Sequence, residues 1–278
     1  MKRYVRSLVT LTIAHSLVAA RGLTAQTPAQ PPNDTRLFTP RDAVAAVLAT
    51  GATLGVMIFD RRIAESVSDS SGSFQQSSFL RDRSTEFNHI SEQPLFLAGL
   101  ALYGVGRLAH APTLADVSLH AAEAVFIATI AAQAVRIPLG RARPVVSDGT
   151  DPFIFHPFKG ISSRDYRSFP SVHTASTYAV AAVVSGETAR RWPGASWIVT
   201  PVAYSLAILP GLSRMYMNEH WASDVVMGTF FGIFAGQKVV HYNHSTNPGN
   251  RVDRFFLGRA AAEDGREDRI TFGVQHRF

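Results

Sequence analysis

The sequence predicts an all-α protein built as a bundle of six helices. Six mainly apolar runs alternate with polar segments that contain serine, proline and charged residues. The runs have lengths typical of buried or membrane-embedded helices. Arginine, histidine and aspartate residues stand where these runs begin or end. Because helix ends meet at the mouth of a bundle, residues far apart in the chain can converge there.

The beginning of the chain has the pattern of a secretory signal. Lys2, Arg3 and Arg6 form a basic start, and a mostly apolar run with small residues follows. This pattern predicts that residues 1–25 are a signal peptide, or a signal anchor if the segment is not cleaved. Residues 26–40 are polar and rich in proline, which predicts a linker. We expect the helical domain to occupy residues 41–245 and a tail to occupy residues 246–278.

The predicted helices follow the apolar runs in order. They cover residues 43–59, 94–106, 114–135, 174–186, 195–212 and 225–240. Three glycines in the last run indicate tight packing. The serine-rich segment 66–84 and the long segment 145–169 are predicted loops, and a long loop in a compact domain is often functional. Residues 251–257 and 269–278 resemble two short strands, which predicts a small C-terminal β-hairpin.

The composition narrows the classes of function. The net charge is +6 with a pI near 10.0, which suits an anionic substrate or an anionic lipid surface. No basic run is interleaved with aromatics, so the sequence does not favour a nucleic-acid partner. Absence of cysteine excludes disulfides, a thiolate nucleophile and a cysteine metal site. Mean hydropathy is +0.06, which is low for a chain made wholly of membrane spans.

The segment from Ser213 to Asp224 carries the strongest chemical signal. His220 and Asp224 are four residues apart, so a helical turn would place them on one face. A carboxylate that accepts a hydrogen bond from one imidazole nitrogen leaves the other nitrogen free to attack. Arg214, six residues before His220, could hold an anionic substrate.

Two further motifs precede this segment. An arginine cluster with Arg136 and Arg143 follows the third run, and Ser171-Val172-His173 follows a proline before the fourth. The order is Arg-x6-Arg-Pro, Pro-Ser-Val-His and Ser-Arg-x5-His-x3-Asp. It resembles the type 2 phosphatidic acid phosphatase and vanadium haloperoxidase superfamily, whose pattern is Lys-x6-Arg-Pro, Pro-Ser-Gly-His and Ser-Arg-x5-His-x3-Asp. The resemblance covers about residues 136–240 and the helical pattern before them.

The resemblance implies a six-helix fold of that type and a role for each motif residue. His220 would be the nucleophile that forms a phosphohistidine, Asp224 its orienting partner, and His173 the general acid. No metal would be required. The phosphate-binding residues that the resemblance implies are Arg136, Arg143, Ser171, Val172 and Arg214.

Two positions depart from the family pattern. Arg136 stands where lysine is usual; it keeps the charge, but its planar fork changes the geometry of a phosphate contact. Val172 stands where glycine is usual, and its side chain restricts the close approach of the backbone to phosphate. These changes affect the expected rate and substrate range more than the class of reaction.

Two other histidine patterns have weaker interpretations. His120 and Glu123 could share a helix face as metal ligands, but a buried hydrogen-bonded pair or polar patch is the favoured interpretation. His241 and His244 are three residues apart, and a solvated helix end is favoured there.

Four functions fit these observations, and a lipid phosphatase is favoured. It would act on a phosphate monoester or diphosphate, of a lipid or an isoprenoid, at the cell envelope. The alternatives are a non-specific soluble periplasmic acid phosphatase, a vanadate-dependent haloperoxidase, and a silent phosphate-binding protein. Vanadate would be a cofactor only for the haloperoxidase. We expect a membrane-associated protein, with an integral membrane form slightly favoured.

Overall fold

The computed structural model describes residues 36–246 of the chain. The predicted signal peptide, most of the predicted linker and the predicted hairpin lie outside these residues. Within the described range the chain forms eight α-helices and contains no β-sheet. The helices are α1 Pro40–Met57, α2 Asp60–Ser68, α3 Ser78–His89, α4 Glu92–Leu108, α5 Pro112–Leu139, α6 Val172–Arg191, α7 Ser196–Tyr216 and α8 Ala222–His241.

The six helices predicted from the apolar runs are all present, as α1, α4, α5, α6, α7 and α8. The prediction of a loop over residues 66–84 was wrong at both ends, because α2 continues to Ser68 and α3 begins at Ser78. Ser77 caps α3, where its Oγ accepts a hydrogen bond of 3.3 Å from the backbone N–H of Leu80. Leu80 is buried against residues of α7 and α8, so packing holds a helix that composition did not predict.

The centre of the bundle is α6, which packs against α5, α7 and α8. The side chains between these helices are small and apolar, and most are alanine and valine. Closest approach is between α6 and α8. A Cβ on Gly232 would lie 2.3 Å from the carbonyl oxygen of Ala175, and one on Gly228 would lie 2.5 Å from that of Ser171. Only glycine permits this contact, which brings the start of α8 against the start of α6.

A long segment connects α5 to α6 and contains three short 3₁₀ turns. The predicted loop over residues 145–169 forms most of it. It begins at Gly140, which ends α5 with φ of +60°. A Cβ there would lie 1.8 Å from the carbonyl oxygen of His156, so glycine is required for the close approach as well as for the turn. The segment returns to the bundle at Ser171, where α6 begins.

The outer faces of several helices are strongly apolar. Exposed large apolar residues recur along α1, α4, α5 and α7. Within residues 36–246, two helical stretches, Pro112–Leu139 and Pro193–Tyr216, are long and apolar enough to cross a membrane, and the bent pair α1–α2 would make a third. Uncovered apolar surface of this extent is typical of a protein that meets lipid or another protein.

Candidate active site

The two residues four apart, His220 and Asp224, meet at the start of α8. His220 lies in the turn between α7 and α8, and Asp224 is in the first turn of α8. Oδ2 of Asp224 accepts a hydrogen bond of 2.8 Å from the backbone N–H of Trp221, which fixes the carboxylate. Nδ1 of His220 lies 3.4 Å from the same oxygen. Because a carboxylate only accepts, this contact places the ring proton on Nδ1 and the lone pair on Nε2.

The imidazole of His220 is fully buried, and its Nε2 has no hydrogen-bond partner. Burial lowers the pKa of His220 well below its ordinary value, although the carboxylate of Asp224 acts in the opposite direction. The ring is therefore neutral at physiological pH. A neutral imidazole with an unpartnered nitrogen is the form that can act as a nucleophile.

Asp224 is held by more than its own helix. Its Oδ1 accepts a hydrogen bond of 2.6 Å from Nη1 of Arg141, and its Oδ2 accepts one of 2.5 Å from Oγ of Ser168. All three side chains are buried. These contacts leave the carboxylate one orientation, so the ring of His220 that faces it is oriented too.

Arg141 also connects this carboxylate to a second one. Its Nη2 donates a hydrogen bond of 2.8 Å to Oδ2 of Asp60, the first residue of α2. Oδ1 of Asp60 accepts a hydrogen bond of 2.9 Å from the backbone N–H of Ser223. A guanidinium between two carboxylates satisfies the buried charges on both sides. The first turn of α8 is thereby tied to α2 and to the segment after α5.

The three predicted phosphate-binding arginines converge from different parts of the chain. Arg136 is on the last turn of α5, Arg143 is in the following segment, and Arg214 is on the last turn of α7. The three guanidinium groups are close enough to influence one another and the ring of His173. Arg143 and Arg214 also influence the ring of His220.

A carboxylate from Glu219 occupies part of this cationic cluster. Its Oε2 forms a salt bridge of 3.0 Å with Nη2 of Arg214 and another with Nη1 of Arg143. The side chain of Glu219 is 30% exposed. Glu219 immediately precedes His220, so an anion already lies between two of the arginines beside the candidate nucleophile.

The Pro-Ser-Val-His motif forms the start of α6. Ser171 caps the helix, where its Oγ accepts hydrogen bonds of 3.4 Å from the backbone N–H of Thr174 and 3.0 Å from the hydroxyl of Thr174. Its own N–H donates to the carbonyl of Asp224 at 3.0 Å, which joins the starts of α6 and α8. Val172 is the first residue of α6 and is fully buried. Its N–H belongs to the free amide groups of a helix start, which favour anions.

His173 follows on the first turn of α6, beside the arginine cluster. Its Nδ1 is buried and has no partner. The ring also contacts the backbone of Asn88, near the end of α3. Asn88 accepts a hydrogen bond from Nη1 of Arg214 through its Oδ1. Thus α3, which composition did not predict, covers the site and contacts both an arginine and a histidine of it.

The structure therefore brings all eight predicted site residues to one end of the bundle. Sequence reasoning missed five residues that hold or occupy the site: Asp60, Asn88, Arg141, Ser168 and Glu219. Arg141 lies inside the arginine motif, and a third arginine in an otherwise apolar context is a signal that a buried partner exists. Nothing in the spacing identifies Asp60, Asn88 and Ser168, because their contacts join distant parts of the chain. Glu219 is only five residues from Arg214, but its contact with Arg143 is distant.

The two weaker histidine patterns have different outcomes. Nδ1 of His120 lies 2.7 Å from Glu187, whereas Glu123 accepts a hydrogen bond from Asn243. His120 is thus part of a buried polar patch, but Glu123 is not its hydrogen-bond partner. The interpretation of His244 as part of a solvated helix end was wrong. It is half-buried, and its Nε2 lies 2.8 Å from Glu187.

Comparison with known proteins agrees with the fold and with the family resemblance. Residues 117–247, a little under half of the chain, match the family model of the PAP2 superfamily. This match confirms the resemblance seen in the motifs.

Two relatives illustrate the range of the superfamily. The chain is 28% identical over 153 residues to a lipid A 1-phosphatase from Porphyromonas gingivalis, which covers 55% of this chain and 30% of the relative. The chain thus spans less than a third of that relative. The crystal structure of a transmembrane PAP2-type phosphatidylglycerolphosphate phosphatase from Bacillus subtilis superposes with a TM-score of 0.54. The superposition covers 75% of this chain and 96% of that one, at 20% identity, and confirms the predicted helical fold.

Proposed function

We propose that this chain is a metal-independent phosphatase that hydrolyses a phosphate monoester or diphosphate of a lipid or isoprenoid. The observation that carries the proposal is the neutral, buried imidazole of His220. Its Nδ1 faces Asp224, its Nε2 has no partner, and two arginines lie within electrostatic range. Phosphoryl transfer depends mostly on positioning and on cations that stabilise the equatorial oxygens, and this site supplies both.

The first step transfers the phosphoryl group to the enzyme. The lone pair on Nε2 of His220 attacks phosphorus, and a P–N bond forms as the bond from phosphorus to the ester oxygen breaks. Asp224 stabilises the charge that develops on the ring through the Nδ1 contact. Burial and the three arginines lower the pKa of His173 to about 3, so its ring is neutral before an anionic substrate binds among those arginines. The bound phosphate offsets their positive charge and favours the protonated ring, which gives its proton to the leaving oxygen, so an alcohol departs. Arg136, Arg143 and Arg214 hold the phosphoryl oxygens.

The second step restores the enzyme. The neutral ring of His173 accepts a proton from water while the water oxygen attacks the phosphohistidine. The P–N bond breaks, and its electron pair returns to Nε2 of His220. Inorganic phosphate leaves, and His173 is again protonated. Protons and charges balance over the two steps, and no oxidant, reductant or metal takes part.

A groove beside the site supports a lipid substrate. An apolar cavity of about 440 Å³ lies between α4, α6 and α7. It reaches Thr177, one helical turn from His173, and Pro210, one turn from Arg214. Its walls are almost wholly aliphatic, and its outer side includes exposed residues of α7 such as Ile198 and Leu206. An acyl or prenyl chain in this groove would carry its phosphate to the arginines.

The same surface supports a location in the membrane of the cell envelope. The groove opens on a side of the bundle formed by α7, which is long and apolar enough to span a bilayer. A lipid substrate could therefore enter from the bilayer without leaving it. The two relatives are named for phosphorylated lipids, and one of them is named as a transmembrane protein.

The test combines two assays on the full chain purified in detergent. Phosphate release is measured from phosphatidate, from glycerol phosphate and from nitrophenyl phosphate, with and without a chelator. We expect release from all three, fastest from the lipid and unchanged by the chelator. Labelled phosphate should be trapped as an acid-labile adduct on the wild type and be absent from His220→Ala. His241→Ala, at the other end of α8, is the matched control and should keep full activity.

The acid role of His173 has its own measurement. His173→Ala should lose much more activity with phosphatidate than with nitrophenyl phosphate, because a good leaving group needs no proton. His220→Ala should lose activity with both. The second assay adds vanadate, peroxide and halide; halogenation without phosphate release would refute the proposal and favour the haloperoxidase. An equal loss for both substrates in His173→Ala would refute the acid assignment alone.

A further inference from the structure

A second polar cluster lies at the opposite end of the bundle. It contains His120 on α5, Glu187 near the end of α6 and His244 in the turn after α8. Fourteen residues of α6 separate His173 from Glu187, which at 1.5 Å per residue is about 21 Å along the helix. The cluster is therefore separate from the candidate active site.

The three side chains direct their ligand atoms at one point. Oε1 of Glu187 lies 2.7 Å from Nδ1 of His120 and 2.8 Å from Nε2 of His244. All three atoms lie within 4.8 Å of one another. His120 and Glu187 are 4% and 1% exposed, so these polar groups are enclosed by three helical segments rather than placed on the surface.

Neighbouring side chains fix the orientation of the cluster. Nε of Arg191 donates a hydrogen bond of 3.0 Å to Oε2 of Glu187, which turns Oε1 towards the two imidazoles. Asn243 donates hydrogen bonds of 3.0 Å to Glu123 and 3.1 Å to the carbonyl of Val239. These two hydrogen bonds of Asn243 hold the turn that carries His244. Metal ligands are commonly oriented by such outer partners.

Two imidazoles and one carboxylate are a donor set typical of zinc and of other divalent first-row metals. Zinc bonds to nitrogen and carboxylate oxygen are about 2.0–2.2 Å long, so tetrahedral ligands lie roughly 3.3 Å apart. The two observed contacts would have to open by about half an ångström. A small rotation of the half-buried His244 opens one of these contacts. The other requires a shift of similar size in the buried His120 or Glu187.

We propose that His120, Glu187 and His244 form a zinc-class divalent metal site that ties the end of α8 to α5 and α6. The fourth coordination position would be taken by water. Because the site is about 21 Å from His173, its role is structural: the metal cross-links three segments and stabilises the folded chain without taking part in turnover. The proposal does not rest on the proposed phosphatase activity.

The experiment uses the full chain, purified in detergent without a polyhistidine tag, stripped with a chelator and dialysed. Zinc is titrated by calorimetry, and bound zinc is counted by elemental analysis after gel filtration. We expect one zinc per chain and a higher melting temperature with zinc. His120→Gln and His244→Gln should each weaken zinc binding more than the roughly 10- to 100-fold that loss of an outer partner produces. His241→Gln, one turn before His244 and outside the cluster, should bind zinc as the wild type does.

Three results separate the outcomes. Absence of stoichiometric zinc on the wild type would refute the site and would leave a hydrogen-bonded His–Glu–His cluster. Equal zinc binding by wild type, His120→Gln and His244→Gln would refute the assignment of ligands. If a variant fails to fold by circular dichroism, cobalt on the wild type decides: the intense visible bands of tetrahedral cobalt support the site, and the weak bands of hexahydrated cobalt refute it.

Discussion

The guanidinium of Arg141 lies 2.6 Å from Oδ1 of Asp224, and neither side chain has any exposed surface. Arg141 follows α5 and Asp224 lies in the first turn of α8, so this ion pair joins two parts of the chain 83 residues apart. It places a permanent positive charge behind the carboxylate that faces His220. The orientation of the candidate nucleophile therefore depends on a fully buried arginine that lies behind its carboxylate partner.

Replacement of Arg141 should affect stability and turnover together. Arg141→Leu leaves Asp60 and Asp224 buried without their shared partner, and loss of one member of a buried pair destabilises by about 3–5 kcal/mol. We expect a clear fall in the melting temperature and a large loss of kcat at a temperature where the variant is folded. Arg164→Ala, which removes an exposed arginine of the same segment, is the control. Normal turnover in Arg141→Leu would contradict the positioning role.

The carboxylate of Glu219 should compete with anionic ligands. It occupies a position between Arg143 and Arg214, so a phosphate must displace it or share the two guanidinium groups. Glu219→Gln removes the negative charge while keeping the size of the side chain. We expect vanadate and phosphate to inhibit about fivefold more strongly, which corresponds to ~1 kcal/mol for a partly exposed pair.

A matched control for Glu219 is Glu86→Gln, since Glu86 is an exposed residue of α3 paired with Arg83. The inhibition constants of that variant should equal those of the wild type. Weaker inhibition in Glu219→Gln would mean that the carboxylate supports the arginines rather than competing with the anion.

Arg136 should tolerate lysine but not alanine. Its guanidinium is buried, and its Nε donates a hydrogen bond to the carbonyl of Arg167, so one of its donors is already engaged. Because the remaining requirement is charge, Arg136→Lys should retain activity within about tenfold, whereas Arg136→Ala should lose more. The comparison is made on kcat/KM with nitrophenyl phosphate. Equal activity of wild type and Arg136→Ala would contradict the assignment of Arg136 to phosphate binding.

The acid side of the pH profile should reflect the buried state of His220. Burial lowers its pKa below the ordinary value of about 6.5, and the nucleophile is active in the neutral form. As pH falls, the neutral form is retained until the lowered pKa is reached. We therefore expect no loss of kcat/KM between pH 7 and about 6 that is due to this histidine. The ionisation of the substrate is measured separately and subtracted; an enzyme pKa at or above 6.5 on the acid side would contradict this prediction.

The sequence alone determined the helical class and the identity of the motif residues. Apolar runs of helical length are local signals, and α1 and α4–α8 follow from them. The pairing of His220 with Asp224 is also local, because four residues span one helical turn. These features depend on neighbours in the chain, so composition and spacing are enough to predict them.

Only the tertiary structure decided which distant groups surround those residues. The contacts of Arg141 with Asp60 and Asp224, of Asn88 with Arg214, and of His120 with Glu187 join positions from 67 to 126 residues apart. No spacing rule predicts them, because they follow from how closely the helices pack. Glycines such as Gly232 let α8 approach α6, and that approach brings the ends of the helices, with their charged side chains, to a common place.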